Sequence, residues 1–195
     1  MKSDRRIRVA KRDGRTWLEI DELSNAIDFL EMLNSFLDED NDSKWKWAAI
    51  AAHGALYGFG VLAIMGTNPS GKPPDGSGIV NRTEKGEFLI RFPEVIKRLQ
   101  DRSILAEPVI LSKPQSARID KLNGMLRNNF IHFAPHSESI SLEGFPEIFK
   151  DAVDIVEHLV LKTPANRRLS EDDAERLRGT IDAIRTRLAA SKAVP

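Results

Sequence analysis

Apolar residues recur at intervals of three and four positions along most of the chain, a period that predicts amphipathic α-helices. Leu23 and Ile27 begin one such stripe in a helix predicted over residues 21–38. Between Ser43, a candidate helix cap, and Met65 the chain is apolar on nearly every side and rich in alanine and glycine. This composition is typical of a central helix that its neighbours approach closely.

Proline and capping residues mark the remaining helices. Proline is favoured in the first turn, where its missing N–H is not needed, and Ser170 with Asp173 is typical of a helix N-terminus. Four further helices are predicted: residues 93–100, Pro114 to about Phe133, Glu147 to Leu161, and Ser170 through Leu188. The patterns together predict a mainly α fold, a helical bundle of about five long helices.

One or two small β-hairpins are predicted beside the bundle. The first spans residues 7–20 around Asp13-Gly14, a dipeptide that adopts the left-handed backbone of tight hairpin turns. Because a two-stranded hairpin is marginal alone, we expect it to pack on the helices. A second hairpin is predicted from residues 79–83 and 87–91, and a short extended strand from residues 139–142.

These elements divide the chain into three predicted parts: a basic hairpin arm (1–20), a helical bundle (21–162) and a C-terminal helical extension (163–195). A polar linker precedes the last helix, so we expect that helix to pack on the bundle or on another subunit. Glycines and prolines predict a loop over residues 66–78. The loop lacks the Gly-Lys-Ser/Thr pattern of a phosphate-binding loop.

Composition narrows the classes of function. The 195 residues include no cysteine, which excludes disulfides and cysteine-ligated zinc. The 29 basic and 29 acidic residues balance, which argues against a protein that coats nucleic acid in bulk. Residues 1–15 lack the apolar core of a secretory signal, and Lys46 and His53 interrupt the longest apolar stretch, so no membrane span is expected. A cytoplasmic location is the simplest interpretation.

The charges are unevenly distributed despite this balance. Residues 1–15 hold seven basic and two acidic side chains, a local charge of +5. Residues 21–42 hold eight acidic side chains and no basic one. One interpretation is a solvated tail beside a solvated helix face. The other is an arm that binds phosphate groups or docks on an acidic face of a partner.

The run from Arg127 to His132 is the most pointed chemical feature of the sequence. Histidine titrates near neutrality and acts as a general acid or base, and a guanidinium binds phosphate. Asn128 can orient either group or hold a ribose hydroxyl, so the three residues fit metal-independent cleavage of RNA by its 2′-OH. In a straight α-helix, however, Arg127 and His132 point about 140° apart. Alternatively, the cations simply stabilise a helix C-terminus.

The segment Leu126–Phe133 (Leu-Arg-Asn-Asn-Phe-Ile-His-Phe) resembles the Arg-x4–6-His signature of HEPN domains, in which an asparagine often follows the arginine. Its position near the end of a late helix in an all-helical bundle is also similar. The strand and helix predicted downstream resemble those of an uncharacterised bacterial HEPN-like group.

The resemblance implies a homodimer in which two arginines and two histidines form one composite cleft. An arginine and a histidine then need to converge only across the two-fold axis, so their 140° separation within one helix is not an obstacle. It further implies an endoribonuclease of a toxin–antitoxin or defence system. In that role His132 is the general base or acid, Arg127 binds the scissile phosphate and Asn128 orients them. Neither a metal nor a cofactor is expected, and RNA and an antitoxin or other protein are the expected partners.

The alternative is a non-catalytic helical module that binds a protein or a nucleotide. The aromatic residues Trp45, Trp47 and Tyr57 could stack on bases. Two tryptophans at the entrance to a core helix are more typical of packing anchors.

The other histidines are weaker candidates. His53 is expected to be a hydrogen-bonded core or groove residue that could line the same cleft. His136 lies four positions after His132, but Pro135 breaks the helical geometry that a metal-binding pair requires. His158 is expected at the surface or in an interface.

Overall fold

The computed structural model describes residues 7–66, 79–83, 86–131, 139–163 and 169–191, apart from the side chains of residues 81–83, 86, 87, 125, 127 and 128. The fold is mainly α, as the sequence predicts. Its helices in these ranges are α1 (Glu22–Asp38), α2 (Lys44–Met65), α3 (Phe92–Leu99), α4 (Lys113–Lys121), a π-helical segment (Leu122–Arg127), α5 (Asn128–Ile131), α6 (Phe145–Lys162) and α7 (Glu171–Ser191). The continuous run of α4, the π segment and α5 is called the motif helix.

The start of α1 is defined by a reciprocal cap. The carboxylate of Asp21 accepts a hydrogen bond from the Ser24 backbone N–H (2.7 Å), and the Ser24 hydroxyl accepts one from the Asp21 N–H (2.9 Å). Ser43 is the N-cap residue of α2, as predicted, but its side chain does not cap the helix. Its hydroxyl donates to Oδ1 of Asn41 (2.7 Å) and makes no bond to the first turn of α2.

Helix α2 lies at the centre of the bundle, as its all-round apolar sequence predicts, and it packs against α1, α3, α6 and the motif helix. Its glycines allow this close approach. A methyl group built on Gly58 would lie 2.9 Å from Cβ of Ala26 in α1, and one on Gly60 would lie 2.6 Å from Cγ1 of Val95 in α3. Both distances are shorter than real Cβ contacts, so a larger residue at either position would force its neighbour to shift.

The length and apolar composition of α2 also match those of a membrane span. No other helix in the described part of the chain matches them. However, 61% of its most apolar window is buried inside the structure. This is typical of the core helix of a soluble protein.

Helix α7 packs on α1 and α6, so the C-terminal helix lies on the bundle of its own chain. The predicted start is confirmed, because the Ser170 hydroxyl accepts from the Asp173 N–H (3.1 Å) and the Asp173 carboxylate accepts from the Ser170 hydroxyl (2.7 Å). The apolar face of the helix is buried in the core; it consists of Leu177, Ile181, Ile184 and Leu188.

Ion pairs add to this contact between α7 and α1. Arg176 lies 2.6 Å from the Glu31 carboxylate, and Arg187 lies 2.9 Å from that of Asp38. Two acidic residues of the segment 21–42 therefore bind cations of the same chain.

The first hairpin forms where the sequence predicts it. Strand β1 (Arg8–Arg12) pairs with β2 (Arg15–Glu19), and the turn residues Asp13 and Gly14 have φ angles of 51° and 72°. Its side chains do not join the helical core, contrary to expectation: Val9, Trp17 and Leu18 are at least half exposed. Instead, Arg8 and Arg12 both bind the Glu19 carboxylate.

The second hairpin is also present, with β3 (Val80–Thr83) antiparallel to β4 (Gly86–Leu89). The buried Ile79 and Ile90 attach it to the core, and the Ile90 N–H donates to the Ile79 carbonyl oxygen (2.8 Å). The strand predicted over residues 139–142 is wrong, because these residues form no ladder with any described strand.

Candidate functional site

The structure describes the candidate motif in part. Arg127 ends the π segment and Asn128 begins α5, but the structure describes only their backbone. His132 and His136 lie outside the described residues. The described part of the motif helix ends at Ile131, the residue directly before His132.

The helix that carries the motif is not the straight α-helix that the sequence predicts. Residues Leu122–Arg127 form a π-helical segment, in which each hydrogen bond reaches one residue further than in an α-helix. The segment ends at Arg127 and residues Asn128–Ile131 are α-helical again. His132 lies outside the described residues, so its 140° separation from Arg127 stays a prediction. Such π-helical segments are rare and often occur at functional sites.

The start of the motif helix is firmly anchored. Ser112 and Gln115 form a capping box around its first turn. One turn later, Nε of Arg118 lies 2.5 Å from Oδ2 of Asp151, a buried carboxylate of α6. The hydrogen bond that Arg118 donates to the Asp151 carboxylate raises the pKa of its guanidinium. These contacts hold α4 rigidly on the core ahead of the π segment.

A cleft of about 620 Å³ opens beside the motif helix. Six residues of α2 line it: Ile50, His53, Gly54, Tyr57, Gly58 and Val61. Their spacing of three and four positions places them on one face of the helix. The other walls come from the start of α1, the end of β4, the start of α3 and the motif helix; they include Glu22, Asn25, Phe29, Leu89, Arg91, Phe92, Pro93, Asn123 and Ile131.

Aromatic rings form one wall of this cleft. The ring of His53 stacks on Phe92 with centroids 4.3 Å apart and an interplanar angle of 24°, and Tyr57 lies 6.2 Å from each of them. The Tyr57 hydroxyl donates to the Ile90 carbonyl oxygen (2.7 Å). Burial raises the pKa of Tyr57, so its hydroxyl remains a donor at neutral pH. The wall is thus held in place by both stacking and hydrogen bonding.

His53 also connects the cleft to the motif helix. Its Nε2 donates to Oδ1 of Asn123, a residue of the π segment, over 3.1 Å. The sequence-based expectation that His53 is a hydrogen-bonded groove residue is therefore confirmed. It lines the same cleft as Ile131, one residue before His132.

The charged side chains at the rim of the cleft are of opposite sign. Glu22 begins α1 and Arg91 precedes α3, and both are exposed. The amides of Asn25 and Asn123 add neutral donors and acceptors. The lining therefore combines aromatic surface with a few polar groups, which is typical of a small-molecule site.

The other sequence candidates have structural roles in the described fold. Trp45 packs on Phe145 and Phe149, with centroids 6.0 and 6.3 Å away, and Trp47 stacks on Phe36. Trp45 is a packing anchor, as predicted, whereas Trp47 is 43% exposed and lies at the surface.

His158 lies on another surface, where its Nε2 donates to the Glu107 carbonyl oxygen (3.0 Å). Within the described ranges, no three histidine or acidic side chains converge as a metal site.

The sequence alone missed most of the cleft. Phe92 and Asn25 carried no chemical signal, and Asn123 lies just upstream of the motif. One signal was present in α2, where His53 and Tyr57, four positions apart, place polar and aromatic groups on a single face of a mostly apolar helix.

No family model matches the sequence, and neither a curated protein nor a solved structure matches the chain. Its function must therefore be inferred from the motif and from the geometry of the cleft.

Proposed function

We propose that this chain is a HEPN-like, metal-independent endoribonuclease that works as a homodimer. One observation carries the proposal: the helix with the Arg127–His132 motif runs along an open cleft, and its residue Ile131 lines that cleft directly before His132. The π segment that ends at Arg127 supports it, because such segments are frequent at functional sites.

In the proposed reaction, His132 removes the proton from a ribose 2′-OH. The 2′-oxygen forms a bond to phosphorus while the bond from phosphorus to the 5′-oxygen breaks. The departing 5′-oxygen takes up a proton from the protonated histidine of the second subunit. The products are a 2′,3′-cyclic phosphate and a 5′-OH end.

The arginine stabilises the charge of this reaction. Arg127 binds the phosphate oxygens and offsets the negative charge that develops on them in the transition state. Asn128 orients the phosphate or the imidazole. In the homodimer, two copies of the motif face each other and form one composite cleft.

The proposal includes a cytoplasmic location and a role in a toxin–antitoxin or defence system. The burial of α2 inside the bundle supports a soluble protein. An antitoxin or another protein would bind the dimer and control it. RNA is the substrate class, and its cleavage requires neither a metal nor a cofactor.

The test is an RNA cleavage assay in EDTA with wild type, His132→Ala and Arg127→Ala, each checked by circular dichroism and gel filtration. We expect wild type to leave cyclic phosphate ends, and both variants to lose activity while they keep the fold and the oligomeric state. The matched control is His158→Ala, which changes a histidine remote from the motif. Persistent cleavage by His132→Ala, with contaminants excluded, would contradict the proposal.

The exposed hairpin favours a second candidate function, a non-catalytic helical module that binds a protein. Val9 and Leu18 are paired across β1 and β2, and both are more than half exposed. Apolar surface of this kind is typical of an interaction site. This candidate predicts that wild type leaves RNA intact and that Leu18→Asp abolishes partner binding.

A further inference from the structure

We infer that the cleft beside the motif helix binds an unpaired nucleobase, so that the RNA is recognised through a base held next to the cleaved phosphate. The inference rests on the proposed function for its role in RNA recognition. Base binding itself can be measured without any cleavage.

The size and the lining of the cleft fit a flat heterocycle. Its volume of about 620 Å³ lies in the range of roughly 300–1,000 Å³ that is typical of small-ligand sites. Phe29, Tyr57 and His53 present aromatic surface to it, and the buried ring of Phe92 supports His53 from behind. Bases stack favourably on such rings, and the stacking tolerates any base sequence.

The rings are already in position. His53 is held by its stack on Phe92 and by its hydrogen bond to Asn123, and Tyr57 is held by its hydrogen bond to Ile90. A preorganised wall binds a planar ligand without the entropic cost of ordering its side chains. A groove lined only by aliphatic residues would offer no rings for stacking and would not select a flat ligand.

Polar groups at the rim can read the edge of a base. The Asn25 amide offers both donors and an acceptor, and the Glu22 carboxylate accepts hydrogen bonds from an exocyclic amino group. Neither side chain makes a hydrogen bond or an ion pair with the described part of the chain. Arg91 provides the cation at the rim for a phosphate. This set favours adenine, which carries an amino group, over uracil.

The position of the cleft limits the substrate. Ile131 lines the cleft and His132 is the next residue in the sequence, so under the proposed function a base in the cleft belongs to a nucleotide near the scissile bond. A base stacked inside a duplex cannot enter a side cleft unless it is extruded. The geometry therefore points to single-stranded RNA.

The experiment measures binding of mononucleotides, which contain no bond for the enzyme to cut. The full chain is titrated with AMP, UMP and ribose 5-phosphate, and binding is followed by calorimetry and by the NMR signals of the His53 and Tyr57 rings. We expect AMP to bind, UMP to bind more weakly, and ribose 5-phosphate not to bind. Equal binding of ribose 5-phosphate would show recognition of phosphate alone and overturn the inference.

Two variants test the site itself. His53→Ala removes one ring of the wall and should weaken AMP binding on the order of tenfold. Asn25→Asp preserves volume and fold but replaces the amide donors by a second carboxylate, and it should weaken AMP binding as well. His158→Ala is the matched control and should bind AMP like wild type. Unchanged AMP binding in Asn25→Asp and in a folded His53→Ala would overturn the inference.

The two proposals fail separately. If AMP binds as described but RNA is not cut, the base site stands and the ribonuclease proposal falls. If RNA is cut in a manner dependent on His132 but no nucleotide binds, the base site falls and the ribonuclease proposal stands.

Discussion

Nε2 of His53 lies 3.1 Å from Oδ1 of Asn123, although the two residues are 70 positions apart in the sequence. This hydrogen bond joins the central helix α2 to the π segment of the motif helix. It is a direct link between the aromatic wall of the cleft and the backbone that positions Arg127 and Asn128.

Removal of this link should loosen the end of the motif helix. We expect Asn123→Ala to lower the free energy of unfolding by about 0.5–1.5 kcal/mol, the usual contribution of a hydrogen bond. Amide hydrogen exchange measured by NMR should become faster in α5 than in α4, because α4 keeps its own anchor on α6. The control Asp120→Ala changes an exposed residue of α4 and should leave exchange in α5 unchanged. Equal rates of amide exchange in α5 of Asn123→Ala and Asp120→Ala would show that the hydrogen bond does not hold α5 in place.

The close approach of α1 and α2 predicts the effect of one added methyl group. In Gly58→Ala the new Cβ would meet Ala26 at 2.9 Å, and this overpacking costs about 1–3 kcal/mol. Alanine regains about 1 kcal/mol of helix propensity, so we expect a net loss of up to about 2 kcal/mol in urea unfolding. Gly179→Ala is the control, because a Cβ there meets nothing within 4 Å. That variant should be as stable as wild type or more stable.

The buried carboxylate of Asp151 should be essential for the anchor of the motif helix. Asp151→Asn removes the charge that Arg118 binds, and we expect it to lower the free energy of unfolding by about 1–3 kcal/mol. The loss stays below that of a fully buried pair because a third of the Arg118 side chain is exposed and can hydrate. Asp120→Asn, at an exposed position of α4, should change stability by less than about 0.5 kcal/mol. Similar losses in both variants would argue against the anchor.

Ionic contacts between α6 and α7 should make stability depend on pH. Burial raises the pKa of Asp154, but hydrogen bonds from Lys150 and Arg185 outweigh it and lower the pKa below its ordinary value. A lowered pKa in the folded state means that this carboxylate stabilises the fold above its unfolded pKa of about 4. The contribution is lost as the pH falls through the lower folded pKa.

Arg185→Gln tests this linkage. We expect it to lower the free energy of unfolding by up to about 1 kcal/mol at neutral pH, because it removes the bonds to Asp154 and Glu157. The difference from wild type should shrink in urea unfolding at acid pH, once these carboxylates are protonated. The control is Arg178→Gln in the same helix, since Arg178 forms no ion pair with any described residue. If the loss of stability in Arg185→Gln were the same at neutral and acid pH, the ion pairs with Asp154 and Glu157 would not be its cause.

The sequence by itself determined the elements whose signals are local. The apolar stripe from Leu23 predicts α1, the Asp13-Gly14 pair predicts the first hairpin turn, and Ser170 with Asp173 predicts the start of α7. Each signal depends on contacts within a few residues, so the tertiary structure did not need to be known. Local reasoning was wrong about the side chain of Ser43, whose hydroxyl bonds to Asn41 instead of capping α2.

Only the tertiary structure decided the site. The cleft requires His53, Phe92 and Asn123 to meet, and they come from three distant stretches of the chain. Which side chains meet depends on the distances between the helix axes and on the rotation of each helix about its axis. Close contacts such as that of Gly58 with Ala26 set these distances. The π segment likewise departs from the regular period on which helix prediction depends. The sequence therefore identified the motif, whereas packing formed the cleft beside it.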